Sequence, residues 1–184
     1  MSLREQYKKT IAPQLKEKFG CKNQFEIPRL KKAVINVGVG RNAKDKAYIE
    51  EVVATLTKIS GQKPILTKAK KSISAFKTRE GNVIGVAVTM RGQRMYDFVE
   101  KLVSVTFPRV RDFRGISEKQ VDRTGNLTVG FKENTVFPEI EQEEVENFHG
   151  LEISLATSAA TREEGLELFR LMGFPFKKEE TNKK

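Results

Sequence analysis

Few residues in this chain could carry covalent chemistry. His149 is its one histidine and Cys21 its one cysteine. A histidine general base needs a group to orient it, and His149 stands beside Gly150 in an acidic stretch with no evident partner. It reads as an exposed loop histidine. Cys21 would need a neighbouring base to act as a nucleophile; it reads as a small, partly buried apolar residue. One cysteine makes no internal disulfide and suits a reducing compartment. No Cys/His cluster has metal-ligand spacing. Seven carboxylates lie between Glu133 and Thr161 without a Lys or Arg. The acids of 139–146 lack the glycine and the alternating ligand order of a calcium loop, so they read as a solvated face. Neither a cofactor nor a metal is expected.

One motif looks enzymatic. Gly38-Val39-Gly40-Arg41-Asn42-Ala43 matches G-x-G-x-x-A between a predicted strand and a predicted helix, the setting of a dinucleotide-binding turn. That turn calls for an acid about 20 residues further on. Lys68, Lys70 and Lys71 fill that neighbourhood, and no acid lies between Glu51 and Glu80. Only a phosphorylated nicotinamide would tolerate such company, which leaves an NADP-dependent oxidoreductase as an alternative. Otherwise the glycines make a tight turn or leave room for a partner.

The charge is segregated. Residues 1–92 carry a net +13 and residues 93–184 a net −3. From Val52 to Tyr96 there are nine basic residues and one acid, Glu80. A basic half beside a mildly acidic one suits a protein that docks one face on a polyanion. Phe76 is the one aromatic of the basic connector and hairpin arm (Lys63 to Arg79), and stacking on single-stranded bases needs several. An aromatic base platform is therefore not expected. Lys/Arg on phosphates and short polar groups on 2′-hydroxyls of folded RNA fit better. A general RNA chaperone is the second alternative.

These residues need elements to position them. Ser2 and Glu5 form a capping box, and Leu3, Tyr7, Ile11, Leu15 and Phe19 recur every four residues. They predict a helix kinked at Pro13 and stopped at Gly20. Ala33, Ile35, Val37 and Val39 alternate as a strand. Asp45 caps a second helix with Ile49, Val52, Val53, Leu56 and Ile59 inward, closed by Gly61. Pro64 to Thr67 leads into a hairpin with Glu80-Gly81-Asn82 at its tip. Its second arm has Ile84, Val86, Val88 and Met90 on one face and the small, polar set Gly85, Ala87, Thr89 and Arg91 on the other. A third helix turns Met95, Phe98, Val99, Leu102 and Val103 inward and ends at Pro108. Asn126 to Phe131 and Leu151 to Leu155 read as strands, and Phe137 to Ile140 as a turn. Thr161 and Glu164 cap a last helix with Leu166, Phe169 and Met172 inward. The chain reads as one domain, residues 1–184: a basic half to about 92, a mildly acidic half over about 93–178, and a frayed tail from 179. No run approaches the length of a membrane span, and no signal peptide is evident, so the cytosol is expected.

Several blocks resemble the large-subunit ribosomal protein five family of bacterial type, the binder of 5S ribosomal RNA. They are Ile27-Pro28-Arg29, Val34 to Gly40, Ser60 to Pro64, Thr67 to Ser72, Phe76 to Gly81, Thr89-Met90-Arg91-Gly92, Pro108 to Gly115, Phe137 to Ile140 and Gly173-Phe174-Pro175-Phe176. They keep family order and spacing over almost the whole chain. The resemblance implies an α+β fold: an antiparallel-rich sheet of about five strands, helices mainly on one face, and a concave face for RNA. It implies a non-catalytic role in the large subunit of the cytoplasmic ribosome, with 5S rRNA bound in the central protuberance by Asn36, Gln62, Lys63, Thr89 and Arg91. It implies a basic loop toward P-site tRNA carrying Lys70, Lys71, Ser72, Lys77 and Arg79. Arg109, Arg111 and Arg114 are candidate intersubunit or rRNA contacts. The implied partners include 23S rRNA and a small-subunit protein at an intersubunit bridge, with the free protein a monomer. One stretch departs: where the family reads close to Ser-Phe-Asp-Gly-Arg-Gly-Asn-Tyr, this chain has Gln120-Val121-Asp122-Arg123-Thr124-Gly125-Asn126-Leu127.

Overall fold

The computed structural model describes residues 1–43, 45–140 and 147–177. Most of the acidic run and the whole of the tail expected to fray lie outside the described residues. Five strands, β1 (Leu30–Gly38), β2 (Ile65–Lys68), β3 (Val83–Met90), β4 (Leu127–Phe131) and β5 (Leu151–Thr157), form one antiparallel sheet in the order β2-β3-β1-β5-β4. The expected α+β class is what the chain adopts. Two compact units divide the residues. One holds Met1–Ala33, Arg91–Val129 and the chain from Ser154 onward; the other holds Val34–Met90 and Gly130–Ile153.

In the first unit, α1 (Leu3–Gln6) opens under the Ser2 cap, whose hydroxyl accepts from the Glu5 N–H at 3.4 Å. A π-helical turn, Tyr7–Ile11, then leads into α2 (Ala12–Phe19), and Gly20 ends it in the left-handed region. The kink expected at Pro13 takes the form of that wide turn. Pro13 falls in the first turn of α2, where a missing N–H is least costly. The same device recurs after α4 (Gly92–Lys101). A π-helical turn, Leu102–Thr106, precedes the short α5 (Phe107–Arg109), which contains Pro108. Met95, Phe98, Val99 and Leu102 are buried as expected, while Val103 is half-buried. α1 packs on α4, and the Leu3 N–H donates to Glu100 Oε2 at 3.0 Å. The Tyr7 hydroxyl donates to the Pro28 carbonyl at 3.0 Å, and burial pushes its pKa up to about 12.

The last helix, α6 (Arg162–Leu171), has both halves of its cap. Thr161 Oγ1 accepts from the Glu164 N–H, and Glu164 Oε2 accepts from the Ala160 N–H. Leu168, Phe169 and Met172 are buried, whereas Leu166 is half-buried. The divergent stretch is a closed turn. Asp122 accepts from the N–H and hydroxyl of Thr124 and from the N–H and side-chain amide of Asn126, all between 2.8 and 3.0 Å. The Asn126 amide also donates to Thr124 Oγ1 at 2.9 Å, so the departing threonine belongs to the network. Val121 and Leu127, in place of the family's aromatics, are core residues at 2% and 0% exposure.

In the second unit, α3 (Lys46–Ser60) begins at Asp45, whose carboxylate accepts from the Tyr48 N–H at 3.2 Å, and stops at left-handed Gly61. Ile49, Val52, Leu56 and Ile59 are buried; Thr55 is buried too, and Val53 only half so. α3 packs against β3. The hairpin differs from expectation. β2 and β3 pair antiparallel from Ile65↔Ala87 to Lys68↔Val83, and a long loop joins them. Glu80-Gly81-Asn82 closes the loop's base, where the Ala69 N–H donates to the Asn82 carbonyl at 2.8 Å and the Gly81 N–H to the Ala69 carbonyl at 3.0 Å. The tip is a smaller hairpin, with Ile73 and Thr78 bridged around a 3₁₀ turn, Ser74–Phe76, and left-handed Lys77.

Candidate nucleic-acid interface

The small, polar side of β3 meets β1 and β2 closely. A Cβ on Gly85 would lie 2.7 Å from Thr67 Oγ1, 3.2 Å from the Val37 carbonyl oxygen and 3.6 Å from Asn36 Oδ1. Glycine is needed there because neighbouring strands fill the space, a close approach that any side chain would obstruct. The result is a shallow polar patch built from Asn36, Thr67 and Thr89, with Ala87 between. Asn36 is exposed and Thr89 half-buried. Gln62, just past the end of α3, is half-buried, and its side-chain amide donates to the Thr89 carbonyl at 2.8 Å. That bond leaves the Gln62 side-chain oxygen and the Thr89 hydroxyl as short, positioned polar groups. Lys63 beside it is exposed. Thus Asn36, Gln62, Lys63 and Thr89 share one unit. Arg91, the remaining member of the expected set, is exposed at the N-cap of α4 and belongs to the other unit.

Lys70, Lys71, Ser72, Lys77 and Arg79 are all on the β2–β3 loop, and all five are exposed. Ser72 has a structural task as well, since its hydroxyl accepts from the Glu80 N–H at 2.9 Å and braces the loop. Phe76 at the tip is 76% exposed. Arg109, Arg111 and Arg114 lie on the first unit around Asp112, which adopts a left-handed backbone.

His149 is not an exposed loop residue. It is 4% exposed, with its Nδ1 side facing the Asn134 amide at 3.4 Å and Tyr48 edge-on at 6.5 Å between centroids. Burial lowers its pKa, against opposing contributions from the Asn147 backbone and the Glu51 carboxylate. The segment around it is held to α3 by Asn147, whose N–H and side-chain amide donate to the two Glu51 oxygens at 3.1 and 2.9 Å. No signal in the neighbouring residues announces this burial, because Glu51 and Asn134 are distant in sequence. Cys21 is half-buried, as expected.

The glycine turn does not make a dinucleotide site. Gly40–Asn42 is a 3₁₀ turn, and β3 lies between β1 and β2 in the sheet. The strand, turn and helix are therefore not followed by an adjacent parallel strand, which the crevice of a dinucleotide fold requires. Among the described residues no group of acids, histidine and cysteine is placed to hold a metal.

The pattern defining the ribosomal protein L5 family matches residues 23–79, and the pattern for the C-terminal region of that family matches residues 83–176. The chain belongs to the uL5 family of ribosomal proteins. Large ribosomal subunit protein uL5 of Halothermothrix orenii is 52% identical over 174 residues, covering 95% of this chain and 97% of that protein. The uL5 protein of Desulfatibacillum aliphaticivorans is 52% identical over 177 residues, covering 96% and 99%. That of Lactobacillus acidophilus is 51% identical over 174 residues, covering 95% and 97%. As a uL5 family member the chain is a structural ribosomal component and not an enzyme, which removes the oxidoreductase alternative.

Proposed function

We propose that this uL5 family member works in the large subunit of the cytoplasmic ribosome by seating 5S rRNA on the polar side of β1, β3 and β2. The observation carrying this reading is the exposed Asn36 beside Thr67, the side-chain-free Gly85 and Thr89, with the Gln62 amide held on Thr89. Short polar groups at set positions suit the 2′-hydroxyls and base edges of a folded RNA. Lys63 and Arg91 add phosphate contacts, which hold register without reading sequence. The β2–β3 loop extends the same protein toward P-site tRNA, with Lys70, Lys71, Lys77 and Arg79 on phosphates and Ser72 bracing the loop. Arg109, Arg111 and Arg114 meet 23S rRNA or a small-subunit protein at the intersubunit bridge. The free protein is a monomer.

A gel shift at stated ionic strength tests this, because phosphate contacts release counterions and affinity falls with salt. 5S RNA should bind tighter than a random duplex of equal length; equal affinities would support the general chaperone reading instead. Alanine at Lys70, Lys71, Lys77 and Arg79 together should weaken tRNA contact in the assembled ribosome. It should leave isolated 5S binding nearly intact, and a large loss of 5S affinity would refute the division of labour.

A further inference from the structure

A cavity of about 1360 Å³ opens within the second unit, and neither the sheet patch nor the fold accounts for it. The loop tip supplies one wall and the segment around His149 another. Together they bring Phe76 and Phe148, 72 residues apart in sequence, to one cavity with Tyr48. Phe76 and Phe148 are 76% and 64% exposed. Rings this open bury little of their apolar surface against the fold, and the sequence places only one of them near the basic residues.

Its remaining lining is selective. Arg41, Lys70, Lys71 and Lys77 stand around it, all exposed, and no carboxylate belongs to the described lining residues. His149 lines it too, almost wholly buried, with Nε2 lacking a hydrogen-bond partner among the described residues. Gly38 and Gly40 form part of the surface. Neither has the left-handed backbone that demands glycine. A Cβ on Gly38 would meet nothing within 4 Å, and one on Gly40 only the Ile84 carbonyl oxygen at 3.9 Å. The chain's own packing therefore does not need these glycines; their lack of side chains keeps the cavity open.

Flat apolar rings, a cationic rim and an unpaired buried polar atom together match one ligand chemistry: a nucleobase with phosphates on either side. We propose that the cavity takes an unpaired nucleobase of transfer RNA against Phe76 and Phe148, with the flanking phosphates on Lys70, Lys71 and Lys77. The loop is then a base reader as well as a charged arm. This rests on the reading of the loop as a tRNA contact, and is separate from the 5S patch.

The test uses the full chain and two hexaribonucleotides, one with 2-aminopurine at its centre and one abasic there. The base-containing strand should bind roughly ten- to hundredfold tighter, the range for one stacked base, with a change in 2-aminopurine emission. Phe76→Ala/Phe148→Ala should remove that preference and the emission change. Gly40→Leu should do the same by occupying the cavity, with an unchanged melting temperature. Lys70→Ala/Lys71→Ala should weaken both strands alike and flatten the salt dependence while the preference persists. Transfer RNA should displace the strand, and 5S RNA at equal concentration should not. Equal affinity for the two strands overturns the proposal, as does displacement by hexaglutamate as effective as by RNA, or displacement by 5S RNA. A 5S gel shift on the same preparation separates the readings: its failure sinks the sheet-patch assignment, and loss of base preference alone sinks this one.

Discussion

Gly165→Ala sets two effects of opposite sign against each other. Gly165 lies inside α6, where alanine is the better helix former by about 1 kcal/mol. By propensity alone the variant should be more stable. The added methyl would sit 2.7 Å from the Gly125 carbonyl carbon and press on the Cα and oxygen of the same residue. Ordinary contact begins at 3.4 Å, so the two backbones must part by at least several tenths of an ångström. Gly125 has little room to retreat. Its backbone is left-handed, its N–H donates to the Asp122 carbonyl at 3.2 Å, and its carbonyl accepts from the Thr157 hydroxyl at 2.9 Å. The Asp122 network holds the other side of the turn. If α6 moves instead, it lifts Leu168 and Phe169, both 0% exposed, off the core. Overpacking of this kind costs about 1–3 kcal/mol and occasionally more; contact with backbone, which has no rotamer to change, belongs at the upper end. After the propensity gain, the net loss is about 2 kcal/mol, a fall in melting temperature of about 4–8 °C for a chain of this size. Thermal unfolding followed by far-UV circular dichroism measures it. A melting temperature equal to or above that of the parent would show that the turn yields freely and that the close approach carries no energy.

Other predictions follow from single residues. Asn36→Ala should weaken 5S binding by about 1–3 kcal/mol, the usual cost of leaving a buried partner unsatisfied; an unchanged dissociation constant at constant salt takes Asn36 out of the interface. His149 is held neutral by burial, so the unfolded chain binds more protons once pH drops below 6.5. Stability should therefore be fully present above that value and lost as pH falls from it through the lower folded pKa. Urea unfolding against pH checks this, and His149→Gln should flatten the profile. Tyr7 has the reverse sign. Its folded pKa of about 12 stands above the ordinary 10.0, so stability should decline as pH climbs between those values. Tyr7→Phe should lose that part of the alkaline decline, and an identical alkaline limb in the variant would contradict it.

The elements that alternate cleanly are legible in the sequence. Ala33, Ile35, Val37 and Val39 are each at most 1% exposed, and Leu151, Ile153 and Leu155 at most 4%. Asp45, Thr161, Gly20 and Gly61 cap the helices they are expected to cap, because capping depends on residues within one turn. The β2–β3 connection departs from its expected form for a related reason. Glu80-Gly81-Asn82 has strong turn chemistry, but turn chemistry does not reveal where the ladder resumes, so a turn at the loop's base reads as its tip. The positions of Asn36, Thr89 and the loop cations are accessible through strand alternation and the resemblance. Those of His149 and Phe148 are not. Their surroundings are made by Glu51, Asn134 and the loop tip, contacts that depend on tertiary packing and leave no local period.

The two wide turns ahead of Pro13 and Pro108 bear on which length changes this chain tolerates. Each residue of an α-helix advances the side-chain direction by about 100°. A stripe repeating every four residues from Leu3 to Phe19 would precess by about 160° in an unbroken helix; the supernumerary residue within Tyr7–Ile11 takes back about 100° of that. Deleting it would shorten the arm by one position and swing Leu15, now at 0% exposure, toward solvent. It would also bring the Pro13 ring against a carbonyl one turn earlier. The irregularity thus acts as a phase corrector, and it makes a helix that looks like a simple extension intolerant of a one-residue indel.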